Sequence, residues 1–218
     1  MKKESYFADG LLIIFLLLTL IFKNKFVVIA PNLDVSISIF IYSFTFLILG
    51  YILTKYKYKE AKKTINISII LILLFLILNL ILNNTPGNAE SEINQSLLNI
   101  FTPYNISILG QNIYLNDLSI ILILLIYYIT HNIFISINDT LNTITNKYLS
   151  FGISIFIAFI IDTMFMVPTL YIKDIYYANL DAFDIIKYLT ANFMVLIIMS
   201  LLSLLIYTLI FQKKKNQI

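Results

Sequence analysis

The chain has 218 residues, 60% of them hydrophobic and only 12% charged, whereas soluble domains carry about 25% charged residues. That excludes an ordinary soluble domain and predicts an all-α integral membrane protein. Absence of cysteine and a single histidine, His131, exclude disulfides, thiolate metal sites and a multi-histidine metal centre. The net charge of +3 is carried by lysine alone among the basic residues, and is too small to suggest nucleic acid as a partner.

The first nine residues are mostly polar and lead into the apolar run Gly10–Phe22. No small-x-small cleavage pattern follows, so this reads as a retained first helix over 6–22, just long enough for a crossing of about 17 residues. Phe26–Ala30 and Pro31 form a connection. A second span covers 35–54 and ends in the basic stretch KYKYKEAKK at 55–63, and a third covers 64–82. The longest polar connection, Asn83–Asn116, contains Pro86, Gly87 and Pro103, and its SLLNIF segment at 96–101 suits one or two turns on a membrane surface. Further spans follow at 117–137, 149–172 and 185–211, and Lys213–Lys215 anchors the tail.

Lysine placement tests that count. With a cytoplasmic amino terminus, six spans place eleven lysines on the cytoplasmic side, among them the 55–63 cluster, Lys147 and Lys213–Lys215. Four remain outside: Lys23, Lys25, Lys173 and Lys187. The positive-inside rule therefore predicts a single six-helix domain, multi-pass in a cell inner membrane, with both termini cytoplasmic. The repeated pentapeptide ISIFI at 37–41 and 153–157 is an echo that isoleucine-rich composition produces by chance.

Catalytic chemistry finds little material. No nucleophile-elbow serine, HExxH, DxD or glycine-rich phosphate loop is present. Asp162 lies midway along an apolar run, where a carboxylate costs roughly 2.5–3.5 kcal/mol on insertion scales and needs a partner, a proton or a cavity. It has no second intramembrane carboxylate to work with. The chain is therefore read as a non-enzyme, with neither metal nor cofactor.

A binding cavity is the better reading. Ser154, Ala158 and Asp162 recur at four-residue spacing and share a helix face, as do Tyr127 with His131 and Tyr128 with Asn132. Tyr42 and Thr45 are neighbours on the second span, and Asn192, Ser200 and Ser203 add polar groups on the sixth. The predicted substrate-binding residues are Asp162, Thr163, His131, Tyr42, Thr45, Tyr127 and Asn132. A carboxylate and aromatic rings between helices suit a flat, nitrogen-rich ring, whose N–H groups the carboxylate accepts.

Two stretches carry a family resemblance. Phe40–Ile65, FIYSFTFLILGYILTKYKYKEAKKTI, resembles the second-helix-and-loop signature of the queuosine precursor transporter (vitamin uptake transporter) family, approximately FIYPITFLLTDIINEVYGKKEARRVI. Ala158–Thr163 resembles that family's SQLIDT signature in the fifth helix. The resemblance implies a six-helix carrier for a 7-deazapurine precursor of a modified tRNA nucleoside, with membrane lipid around it and a possible homo-oligomeric state. The family is similar in architecture to the substrate-binding subunits of energy-coupling-factor vitamin transporters, which implies an energising ATPase as the alternative partner. A diverged, non-transporting membrane protein is the further alternative. The chain departs from the family pattern at Ser43, Gly50, Thr54, His131, Phe134, Ala158, Phe159, Val195 and Leu202, where the resemblance expects proline, acids, amides, serine or lysine. Among the polar signature, Asp162 and Thr163 remain.

Overall fold

A computed structural model describes residues 2–22, 26–30, 33–84, 103–108, 111–116, 119–177 and 182–212. The elements run α1 (Lys2–Ile21), β1 (Phe26–Ala30), β2 (Leu33–Ser36), α2 (Ile37–Asn84), β3 (Pro103–Ile108), β4 (Gln111–Asn116), α3 (Ser119–Asn142), α4 (Lys147–Tyr177) and α5 (Ala182–Gln212). Among the described residues, four helical stretches are long and apolar enough to cross a membrane: Ile37–Leu78, Ile120–Asn142, Lys147–Met166 and Leu189–Phe211. These make the chain a multi-pass, almost wholly helical membrane protein. The predicted SLLNIF surface turn and the lysine tail lie outside the described residues.

Six separate spans are not what the structure shows. The predicted second and third spans form one helix of 48 residues, interrupted only at Lys57. The intervening KYKYKEAKK was read as a loop from its charge. Lysine, glutamate and alanine are nevertheless good helix formers, so the backbone is helical up to and beyond Lys57 and breaks at that one residue, where two helical limbs meet in a kink. The first helix has an apolar part of only Tyr6–Ile21, about 24 Å at 1.5 Å per residue, short of a hydrocarbon core of about 30 Å.

The chain also departs from pure helix in two antiparallel hairpins. β1 pairs with β2, Val27 opposite Val35, with a register shift between Val28 and Ala30. β3 pairs with β4, Ile106 opposite Ile113. Val27, Val28 and Ile29 are β-branched and Pro31 follows after Ala30, a strand-then-turn pattern inside the stretch expected to be a connection.

Lys57 has φ 71° and ψ 172°, a region occupied almost solely by glycine that costs a side-chain-bearing residue about 1–3 kcal/mol. Lys57→Gly is expected to raise stability by about 1 kcal/mol, the strain relieved exceeding the extra freedom of the unfolded chain. Thermal unfolding of the purified protein in detergent checks this. A variant less stable than the parent would contradict the strained backbone.

Helices α2, α3, α4 and α5 form a closed ring. Each packs on the next, α5 returns to α2, and α1 lies outside against α2. The buried stripe Ala8, Leu12, Leu16 and Leu20 of α1 recurs every four residues, which keeps one helix face against its neighbour. Phe15 meets Phe44 with ring centroids 5.8 Å apart. Thr64 donates a 2.6 Å hydrogen bond to Asp9. Thus α1 touches α2 on both sides of the Lys57 break. The opposite edge of α2 is apolar and exposed, with Ile70, Leu74 and Leu78 outward, as lipid contact requires.

Ring closure depends on local signals. The Asn146 side chain accepts from the backbone amides of Tyr148 (3.1 Å) and Leu149 (2.9 Å), an N-cap that satisfies two of the otherwise orphaned donors at the start of α4. Helix α3 buries Ile120, Ile123, Tyr127, Thr130, Phe134 and Asn138, spaced by three or four. In the same way α4 buries Phe151, Ile155, Ala158, Asp162 and Met166. These faces turn toward the ring's interior and carry the polar residues there.

Candidate binding site between the four ring helices

Asp162 is 5% exposed and borders a cavity that all four ring helices line. Ser38, Ile39 and Tyr42 come from α2, Tyr127 from α3, Asp162, Thr163 and Met166 from α4, and Asn192 and Leu196 from α5. Tyr42 and Thr130 face the carboxylate, but the Tyr42 hydroxyl stays outside hydrogen-bond geometry with it. Thr130 spends its own hydrogen on the carbonyl of Ile126, 2.8 Å away. Asp162 Oδ1, Thr163 Oγ1, Tyr42 Oη and Tyr127 Oη are all buried with no hydrogen-bond partner. A buried polar atom left unpaired costs about 1–3 kcal/mol, so four at one place mark a site rather than a packing accident.

The cavity is small in this form. About 20 Å³ is open to the centre of a water molecule, roughly what one water requires. The reason is visible in α2 and α3: Tyr42 and Tyr127 stack at 4.4 Å with an interplanar angle of 22°. Two rings lie face to face where a flat ligand would lie between them.

Of the predicted site residues, Asp162, Thr163, Tyr42 and Tyr127 border this cavity, as does Asn192. His131 and Thr45 sit behind the tyrosines and are bonded to one another, Thr45 Oγ1 to His131 Nε2 at 2.8 Å. His131 Nδ1 lies 2.6 Å from the carbonyl of Tyr127, so Nδ1 carries a hydrogen. A neutral imidazole then accepts at Nε2 from Thr45. The same Thr45 hydroxyl also lies 2.6 Å from the carbonyl of Tyr42. Both nitrogens of the neutral ring are engaged, and His131 serves as a link between α2 and α3. Asn132 donates to the carbonyl of Tyr128 at 2.7 Å and does not line the cavity. Ser200 and Ser203 are buried on α5 and also lie outside it.

Below the cavity the interior is aromatic. Phe46 stacks on His131 at 4.9 Å and 14°, and meets Phe134 and Phe159 edge-on at 5.1 and 5.0 Å. Phe134 leads to Phe151, and Phe151 stacks on Tyr207 at 4.1 Å and 3°. The Tyr207 hydroxyl donates to Thr54 Oγ1 at 2.5 Å, whose hydrogen goes to the carbonyl of Gly50. Gly50, Thr54, His131 and Phe134 are four positions at which the family pattern differs. Here they lie in or against one continuous stack of rings. Sequence reasoning marked these positions singly; their proximity needs the helix rotations that bring them together.

Comparison with protein families, characterised proteins and solved structures finds no match to this chain.

Proposed function

We propose that the chain is a small-molecule uptake carrier of the cell inner membrane, for a 7-deazapurine or related nitrogen heterocycle. The observation that carries this is the buried Asp162 with an unpartnered oxygen, facing a cavity on which all four ring helices converge. Ionisable groups within membrane helices mark substrate or ion pathways by default, and carriers place such sites where their helices meet. Asp162 accepts ring N–H or amine hydrogens, Thr163 supplies a neighbouring hydroxyl, and Tyr42 and Tyr127 part to hold the ring between their faces. The signatures at Phe40–Ile65 and Ala158–Thr163 favour the deazapurine class.

The same proposal takes the chain across the membrane six times with both ends cytoplasmic. The limb of α2 before Lys57 is about the 20 residues a crossing needs and the limb after it is longer, so a turn at Lys57 makes two spans of one helix. The short α1 crosses by drawing on its polar first turns. The eleven-to-four distribution of lysines supports this sidedness.

Uptake of a labelled deazapurine and purine panel into proteoliposomes tests the reading. Asp162→Asn is expected to lower kcat/KM by about 10–100-fold, the loss of one charge-assisted hydrogen bond. Equal uptake by variant and parent would remove Asp162 from the substrate site.

A further inference from the structure

We infer that the closed cavity at Asp162 binds one hard monovalent cation, of the size of sodium. This deepens the transport reading by naming the occupant of the same cavity when the tyrosines are stacked. Among the described residues, six buried side-chain oxygens lack a hydrogen-bond partner, and four of them border this one cavity. They are a carboxylate oxygen, a threonine hydroxyl and two phenol oxygens, each on a residue no more than 5% exposed. Ser38 and Asn192 add further oxygens to the lining.

Three occupants fit the space of about 20 Å³, and their chemistry separates them. A water molecule would bond the orphaned oxygens but carries no charge, leaving a carboxylate uncompensated at membrane depth. A proton on Asp162 neutralises the charge but leaves most of the oxygens without a partner. A cation does both at once, since oxygen-only surroundings with a carboxylate are what hard cations take. One negative charge matches one positive charge; a divalent ion would leave an excess. No lysine lies among the lining residues to supply the countercharge, and both nitrogens of His131 are engaged by Thr45 and by the Tyr127 carbonyl. The titratable groups facing the carboxylate are Tyr42 from α2 and Tyr127 from α3, while α5 presents the uncharged Asn192.

The test uses the purified full chain in detergent with no heterocycle present. Thermal unfolding is followed while sodium chloride replaces choline chloride at constant ionic strength, with potassium chloride as a third series. A saturable rise in Tm with sodium, smaller with potassium, is expected, because a ligand that binds only the folded state stabilises it by mass action. Asp162→Asn removes the response. Thr163→Val and Tyr127→Phe each raise the half-saturating sodium concentration by about tenfold or more, and they carry the test if Asp162→Asn does not fold. Equal Tm in all three salts overturns the site, as does an undiminished sodium response in Asp162→Asn. A Tm that rises on acidification with no sodium response shows a proton in the ion's place and also overturns it. Heterocycle binding without a sodium response defeats the ion site alone. A sodium response without heterocycle binding or uptake defeats the transport reading and leaves the ion site standing.

Discussion

Gly50→Asp, which introduces the acid that the sequence resemblance expects at this position, should cost the protein more than about 4 kcal/mol and leave little folded material. A Cβ at position 50 would lie 2.5 and 2.7 Å from Cε2 and Cδ2 of Phe151, so the ring must move. It has nowhere to go, being stacked on Tyr207 at 4.1 Å and set edge-on to Phe134. Overpacking of this kind costs about 1–3 kcal/mol, which is what Gly50→Ala alone should show. The carboxylate adds the several kcal/mol of an ion among rings without a partner, and losses of this combined size are exceptional for one substitution. Unfolding in detergent measures both. Pairing Gly50→Asp with Phe151→Ala should recover part of the loss, since truncating the ring makes room. Strict additivity of the two would contradict contact between them.

Phe46→Ala has the second-largest expected effect, a loss of about 3–5 kcal/mol. Phe46 is fully buried and touches four rings: Tyr42 at 5.1 Å, His131, Phe134 and Phe159. Inside a bilayer the gain from such a residue is dispersion and shape more than escape from water. Phe46→Leu keeps most of the volume and should cost about a third as much. If both variants unfold like the parent, the interior is not packed around this ring.

How far the sequence revealed this arrangement depended on the distance over which each signal acts. The face formed by Ser154, Ala158 and Asp162 follows from helical spacing alone, and all three are buried. The neighbourhood of Tyr127 and His131 follows in the same way. That His131 turns to Thr45 on α2 while Tyr127 turns to the cavity depends on the relative rotation of two helices, which no single-helix pattern contains. That the two limbs of α2 reach into KYKYKEAKK and meet at the single non-helical residue Lys57 was hidden by its charge, because hydropathy reports where a chain meets lipid and not where its helix stops. The hairpins lay in stretches whose polarity and turn residues mark them as connections, and short strands add little to that signal. The aromatic stack from Phe46 to Tyr207 draws on four helices, and its members are individually ordinary in so apolar a chain.

The stacked pair Tyr42–Tyr127 has a mechanical consequence. Sliding a flat ring between the two faces requires them to separate by roughly another aromatic thickness, about 3.5 Å. Thr45, three residues along α2, is tied to His131, four residues along α3. The lever arm from the stack to this tie is only about 4.5 Å, three residues at 1.5 Å each. Pivoting about a fixed bond would then demand a swing approaching 40° between packed helices, far beyond what their interlocked side chains allow. On the proposed carrier reading, the Thr45–His131 hydrogen bond acts as a latch and not a hinge: spreading the tyrosines by helix movement and releasing the histidine would be a single step.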